Sequence, residues 1–361
     1  MRMCSRTTIY RIVFIALVIF ISIVIGFQYG IYLSVRTTTN KSLLSVLLQS
    51  QPKSPGKSSV LPQPQMPKNN AKPRKICEKY EVSDTRPFFD QEPPQTNLPR
   101  RMSAIERTLI LPQLRLLRLA IVACAYNVEQ YVDNLRKHIE PILDLFHSSS
   151  RIFILESDST DNTWEKLRQW SRAHVETYGI LANTVPKRTE RIAYCRNKLL
   201  DKARDIHPDY MLVVDADIFS VNISSFLTNF QYETQDWSVM TANLIEKYYD
   251  IWALRTLSET IVNYDVWHLS WAMQQISGYC ANSVSRNVID IHKQPLRANR
   301  NLLEVRSAFG GAAIYKMNAT KDCFYSGKPY TCEHVLFHLC MRDKNQARIF
   351  INPQFRNDNL R

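Results

Sequence analysis

Glycine is scarce in this chain, with 8 in 361 residues. The one adjacent pair, Gly310 and Gly311, therefore marks either a close backbone approach to a ligand or a tight strand turn. Closely spaced cysteine pairs are missing as well. Cys323, Cys332 and Cys340 lie too far apart for zinc-ribbon knuckles, which excludes that class of metal site. No dense His/Asp cluster supports a two-metal hydrolase, and no internal repeat is present. Net charge is missing from the C-terminal two thirds: residues 120–361 sum to +1, whereas residues 1–119 carry +12 of the total +13. The basic balance belongs to the N-terminal third, so nucleic acid is not an expected partner of the folded part.

Charge is also absent from Ile12 to Val35, 24 residues flanked by Arg11 and Arg36. Such a run crosses a hydrocarbon core of roughly 30 Å as a helix. A cleaved signal peptide is the competing reading, but the run exceeds the usual h-region of about 7–15 residues and no A-x-A-like site follows. Arg2, Arg6 and Arg11 keep the short N-terminal side cytoplasmic, which predicts a single-pass type II protein of the Golgi or ER membrane with its bulk in the lumen. The expected organisation is a tail over 1–11, a signal anchor over 12–35, a stalk over 36–118 and a folded domain over 119–361. Ten of the 17 prolines fall between Gln51 and Arg100, in keeping with an extended stalk. Sequons at Asn40, Asn222 and Asn318 lie on the predicted lumenal side, where some of the seven cysteines from Cys77 onward are expected to pair.

Within the folded part, Leu119–Cys124 and Arg151–Leu155 read as buried strands, and amphipathic segments over Gln130–Phe146 and Trp164–His174 read as helices. A helix over Ile192–Arg204 then feeds the apolar run Met211–Val214, which ends at Asp215-Ala216-Asp217. Alternating strands and helices predict an α/β fold with a mostly parallel, Rossmann-like sheet flanked by helices. Ligands of such sheets sit at the strand ends. An Asp-x-Asp step there can direct two carboxylates at one hard divalent cation bridging a diphosphate, although helix caps and turns use the same residues. Glu156 to Thr163 alternates acidic and hydroxyl residues but lacks the Gly and terminal Glu of an EF-hand. It is either a ligand-facing loop or a set of helix caps. Asp250, Trp252 and Arg255 fit neither helical nor strand periodicity and are expected in a turn leading into a helix. Glu333-His334 opens a helix over Val335–Met341, and His334 and His338 share one of its faces, to bind metal or simply to pack.

In that order, the strand followed by Ala125-Tyr126-Asn127, the loop from Glu156, the helix with Arg191 and Arg196, and the strand ending in Asp-Ala-Asp resemble the nucleotide-sugar half of GT-A glycosyltransferases. Tyr249 to Arg255, Phe309-Gly310-Gly311 and Cys332-Glu333-His334 are similar to the fungal capsule-associated α-mannosyltransferase family and its relatives. The resemblance implies a nucleotide-sugar donor, GDP-mannose by preference, a glycan acceptor and Mn²⁺ or Mg²⁺. It assigns Ala125, Tyr126 and Glu156 to the nucleotide pocket and Arg191 and Arg196 to the diphosphate, although either arginine also reads as a surface helix residue. Asp217 becomes the direct metal ligand, with Asp215 on ribose or metal. Asp250 and Arg255 go to sugar or acceptor, with a structural ion pair as the alternative, and Gly310 and Gly311 go to the donor. Glu333 is the candidate acceptor-binding acid. A base role for Glu333 implies inversion, whereas the mannosyltransferase resemblance implies retention. A glycan-binding protein on the same fold without turnover is the competing class.

Overall fold

The computed structural model describes residues 77–328 and 331–358. The predicted tail, the span Ile12–Val35, Asn40 and the first part of the stalk lie outside these residues. No helix among the described residues is long and apolar enough to cross a membrane.

Three apolar runs set up the first half of the sheet. Strands β1 (Leu119–Ala125), β2 (Arg151–Glu156) and β4 (Tyr210–Asp215) are buried almost throughout. Alternate side chains feed two cores: Ala120 and Val122 enter one, Ile121 and Ala123 the other. β3 (Ala173–Thr177), β5 (Val239–Leu244), β6 (Arg255–Thr256), β7 (Leu303–Ser307), β8 (Ala312–Lys316) and β9 (Ile349–Asn357) complete one nine-stranded sheet. Its order is β3-β2-β1-β4-β8-β5-β9-β7-β6. Helix α1 (Val132–Leu143) covers one face of β1, burying Leu135, Ile139 and Ile142. Helix α2 (Arg188–Asp205) packs on β1 and β2 from the other face. Beyond the first half come α3 (Val266–Gln275), α4 (Ala281–Val288) and α5 (Glu333–Asn345).

Three expectations are corrected. The sheet is mixed: β3, β2, β1 and β4 run parallel, but β8 enters antiparallel between β4 and β5, and β7 is antiparallel to both β6 and β9. The helix expected over Trp164–His174 stops at Leu167, and Ala173–Thr177 adds an edge strand beside β2. Arg255, expected to lead into a helix, opens the short strand β6.

The stalk boundary at 118 also moves. Residues 77–118 wrap the domain as a strap, because they carry just enough apolar surface to be held. Cys77 is disulfide-bonded to Cys280, and Phe88 and Phe89 are buried, with Phe88 edge-on to Tyr248. The Gln95 side chain exchanges hydrogen bonds with both backbone groups of Glu304, at 2.8 and 2.6 Å. Ile110 and Leu114 enter the core beside α1. Two more disulfides join Cys124 to Cys195 and Cys323 to Cys340, and among the described residues Cys332 is a free, buried thiol.

Candidate active site

The register of the parallel strands brings their C-terminal ends to one edge: Ala125 pairs with Glu156, and Cys124 with Asp215. Strand order reverses between β1 and β4, so the crevice there is the place where an open α/β sheet receives a ligand.

At the end of β4 the Asp215 amide donates to the Gly311 carbonyl at 2.9 Å, and its own carbonyl receives the Ile218 and Phe219 amides, turning the chain. Its carboxylate Oδ1 accepts from Arg196 Nη2 at 3.0 Å. Arg196 projects from the buried face of α2, and its Nε donates to Glu333 Oε1 at 2.7 Å. The guanidinium lies 5.0 Å from the Phe309 ring centroid. Arg196 and Glu333 side chains are each 7% exposed, whereas Asp215 is 29% exposed at the mouth. Asp250 completes the group, accepting the Gly310 amide on Oδ2 at 3.1 Å and the Ala253 amide on Oδ1 at 3.2 Å.

Two carboxylates thus share one guanidinium, and Asp250 feels its charge from farther off. Burial pushes the Asp215 carboxyl up to about 6; Arg196 opposes this, and Asp250 and Glu333 reinforce it. Burial also raises Asp250, against its two backbone amides and with the help of Glu333. For Arg196 burial works against the charge, but Glu333 and Asp215 outweigh it and keep the guanidinium protonated. The group is electrostatically unbalanced towards the negative, and half-buried Asp217 stands two residues from Asp215. No group of three or more His, Cys, Asp or Glu suited to a metal is found among the described residues. A carboxylate pair completed by diphosphate oxygens and water is nonetheless a usual setting for Mg²⁺ or Mn²⁺, and an excess of oxygen-borne negative charge fits such a cation.

The glycine pair is required by packing. Gly310 and Gly311 have φ of +69° and +82°. A Cβ on Gly310 would sit 2.0 Å from the Ala242 carbonyl oxygen. The close approach is to β5, and it presents the Gly310 amide to Asp250 and the Gly311 carbonyl to Asp215.

Other expected residues have different partners from those expected. Arg191 hydrogen-bonds the Val185 and Pro186 carbonyls and lies 3.5 Å from Asp158, holding a loop. Arg196, expected on a diphosphate, is committed to two carboxylates. Arg255 donates to the Trp252 and Leu254 carbonyls and to Asp265 at 3.3 Å. It belongs to a structural knot in which Asp265 also receives Trp252 Nε1 and Thr331 Oγ1. At the β1/β2 edge, Glu156 is buried with both oxygens used: Ser159 N donates to one at 3.0 Å, Thr177 Oγ1 to the other at 2.5 Å. It organises its loop, leaving Ala125 buried and Tyr126 60% exposed at the rim. Asn222 is exposed and caps the helix Ile223–Leu227, and Asn318 is exposed in a 3-10 turn.

Residues that pattern did not single out include Tyr249, Asn357 and Tyr325. Tyr249 is half-buried, and its hydroxyl proton is held well above the usual range by burial and by Asp215 and Asp250. Asn357 at the end of β9 donates to the Gly310 carbonyl and accepts the Ser220 amide. Tyr325 lines the Arg196 side. A Tyr-Tyr-Asp run was the one local cue; Asn357 and Tyr325 reach the site from more than a hundred residues away from their partners Ser220 and Arg196.

No family model matches the sequence, and no curated protein does. Several solved structures resemble it in fold. TarS residues 1–349 from S. aureus in complex with UDP-GlcNAc is 14% identical, with TM-score 0.38 over 67% of this chain and 58% of that one. The mannosyltransferase PcManGT from Pyrobaculum calidifontis in complex with GDP-Man and Mn²⁺ is 13% identical, with TM-score 0.39 over 68% and 57%. Glucosyl-3-phosphoglycerate synthase of M. tuberculosis is 12% identical, with TM-score 0.36 over 72% and 76%. The chain spans less than two thirds of the length of the first two. At these identities and TM-scores the likeness carries no conclusion about activity.

Proposed function

We propose that this chain is a metal-dependent glycosyltransferase of the GT-A type, moving a sugar from a nucleoside-diphosphate donor to a glycan acceptor. The observation that carries this reading is the set of carboxylates around Arg196 at the β1/β4 switch point, rich in negative charge on the side that opens to solvent. The donor nucleotide enters at the rim formed by Tyr126 and the Glu156 loop, above buried Ala125. Asp215 and Asp217 would hold Mn²⁺ or Mg²⁺, which neutralises charge on the departing diphosphate. Glu333, at the first turn of α5, faces the acceptor hydroxyl, and Arg196 orients it through a charge-assisted hydrogen bond. Asp250 binds the transferred sugar or the acceptor. GDP-mannose is the favoured donor on the resemblance of Tyr249–Arg255 and Cys332–His334 to the capsule-associated mannosyltransferases. The Golgi or ER lumen is the proposed compartment, with the chain anchored by Ile12–Val35. Three disulfides and two exposed sequon asparagines fit an oxidising lumen.

The competing reading is a tethered glycan-binding protein without turnover. It is favoured by one observation: Arg196 already occupies an oxygen of both Asp215 and Glu333. Thermal stabilisation of the full chain by nucleoside diphosphates, with and without Mn²⁺, separates the two. A Mn²⁺-dependent rise in Tm with one base, lost in Asp217→Ala, supports the transferase. A folded chain that responds to glycans and to no nucleotide supports the binding protein.

A further inference from the structure

The two histidines on α5 are absorbed by no part of the mechanism so far, yet neither is a passive core residue. His334 is 2% exposed and His338 is fully buried. Burial pulls the first well below the usual histidine range and the second down to about 3, and the Arg196 charge acts in the same direction on both. Both imidazoles are therefore neutral, and each must place its single N–H on one ring nitrogen.

Their mutual hydrogen bonds can run in either direction, and the neighbouring Glu333 carboxylate breaks the tie. His334 Nε2 lies 3.6 Å from Glu333 Oε1, beyond hydrogen-bond length, and is otherwise without a partner. Glu333 is the carboxylate bonded to Arg196, and a carboxylate oxygen only accepts. A lone pair on His334 Nε2 would repel it, whereas an N–H is attracted. With the proton on Nε2, His334 Nδ1 must accept, and the hydroxyl of Tyr315 is its neighbour at 3.5 Å. Tyr315 oxygen then accepts from His338 Nε2 at 2.8 Å, which leaves His338 Nδ1 to accept from the Ser307 hydroxyl at 3.0 Å. Ser307 and Tyr315 are both fully buried, away from water, and the buried Tyr325 hydroxyl beside Tyr315 can donate to the Tyr315 oxygen without reversing the chain. Phe309 stacks on His334 with centroids 3.8 Å apart and planes 20° from parallel, which holds the ring in its plane. The other polar groups around Glu333 are the Cys332 thiol, 3.8 Å from Oε2, and the charges of Asp215 and Asp250.

We propose that His334 is a positioning residue for Glu333, held as the Nε2–H tautomer by the buried chain Ser307–Tyr315–His338. Arg196 and His334 both address Oε1, so the acceptor hydroxyl would reach Oε2, where the Cys332 thiol at 3.8 Å is the weaker donor it displaces. This rests on the reading of Glu333 as the acceptor-facing acid. The tautomer chain runs from β7 through β8 to α5, so Ser307 and Tyr315 act on the orientation of Glu333 without touching substrate.

The full chain labelled with ¹⁵N in its imidazole rings tests this directly. Two-bond ¹⁵N–¹H spectra, assigned with His334→Gln and His338→Gln, are expected to show both residues neutral and protonated at Nε2 between about pH 5.5 and 8. An Nδ1–H tautomer or an imidazolium at His334 overturns the proposal. With GDP-mannose, Mn²⁺ and a mannoside acceptor as probes, Ser307→Ala is expected to slow acceptor-dependent GDP release about tenfold with KM nearly unchanged, and Ser307→Thr, which keeps the hydroxyl, to restore it. Unchanged turnover in Ser307→Ala overturns the proposal. If the parent chain releases no GDP, the donor reading fails, and the spectra of the unmutated protein still decide the tautomer.

Discussion

At Gly310 a single methyl group is enough to disturb the centre of the molecule. An added Cβ meets the Ala242 carbonyl oxygen at 2.0 Å, and the φ of +69° is strained for any L side chain. Gly310→Ala is expected to cost about 3 kcal/mol or more, read from the urea midpoint, because the clash is with backbone that cannot rotate away. A milder effect, under about 1 kcal/mol, would mean that β5 yields and the packing is looser than described. Arg196→Met tests the charge arrangement instead. It leaves Asp215 and Glu333 without their guanidinium, which should cost about 3–5 kcal/mol near neutral pH. The sign with pH follows from Asp215, whose folded value is already raised to about 6. A raised carboxyl takes up protons more readily in the folded state, so its penalty is present above that value and relieved below it. Arg196 holds that value down, so in Arg196→Met it rises further, and the Asp215 part of the deficit should shrink as pH falls from neutral towards about 6, where both proteins take up the same proton. A deficit independent of pH would mean that lost packing against Phe309 dominates. At the same scale, Glu333→Gln should abolish GDP release from GDP-mannose while leaving the Mn²⁺-dependent stabilisation by GDP intact; loss of both would make Glu333 structural.

Among the elements, what pattern reveals depends on how each strand is buried. β1, β2 and β4 are covered on both faces, so each reads as a continuous apolar run closed by a polar residue, and Asp215 was conspicuous because it ends such a run. β3 is an edge strand, Ala-His-Val-Glu-Thr, half in water, and its composition says nothing that a helix end would not also say. β8 and β9 are legible as strands of some kind, but no local signal announces that β8 enters antiparallel between β4 and β5. Nor does one announce that Arg196 finds Glu333, 137 residues away. The strap was hidden for a different reason: its prolines continue the Lys- and Pro-rich composition of the preceding segment, while Phe88, Phe89, Ile110 and Leu114 do the anchoring. Its role is open to a truncation pair. Removing residues 1–76 should leave Tm within a few degrees, whereas removing 1–103 strips Phe88, Phe89 and Cys77 from the domain and should lower Tm by roughly 10 °C or more. Equal melting of the two would return the strap to the stalk.

For the molecule as a whole, buried neutral histidines govern the response to acid. Burial holds His292 down to about 4, and His338 is held to about 3. An unfolded chain takes up those protons near pH 6.5, so the histidines contribute stability that is complete above that pH and is lost as pH falls towards the folded values. Asp215 and Asp250, both raised, act with the opposite sign over part of the range. Thermal midpoints should fall between about pH 6.5 and 4, and His292→Leu should flatten part of that slope; a flat profile in the parent would exclude these buried neutral states. His292 also faces Phe88 of the strap, with ring centroids 6.3 Å apart, so the first region to loosen in acid should be the one nearest the N-terminal side of the domain. The Cys77–Cys280 bond has a mechanical counterpart. It closes a covalent loop spanning 203 positions at the point where the chain enters the domain. Tension arriving through the preceding segment passes straight to Cys280 and cannot peel the strap away. A single molecule stretched from both ends should keep roughly 700 Å of contour length hidden until a reductant releases it.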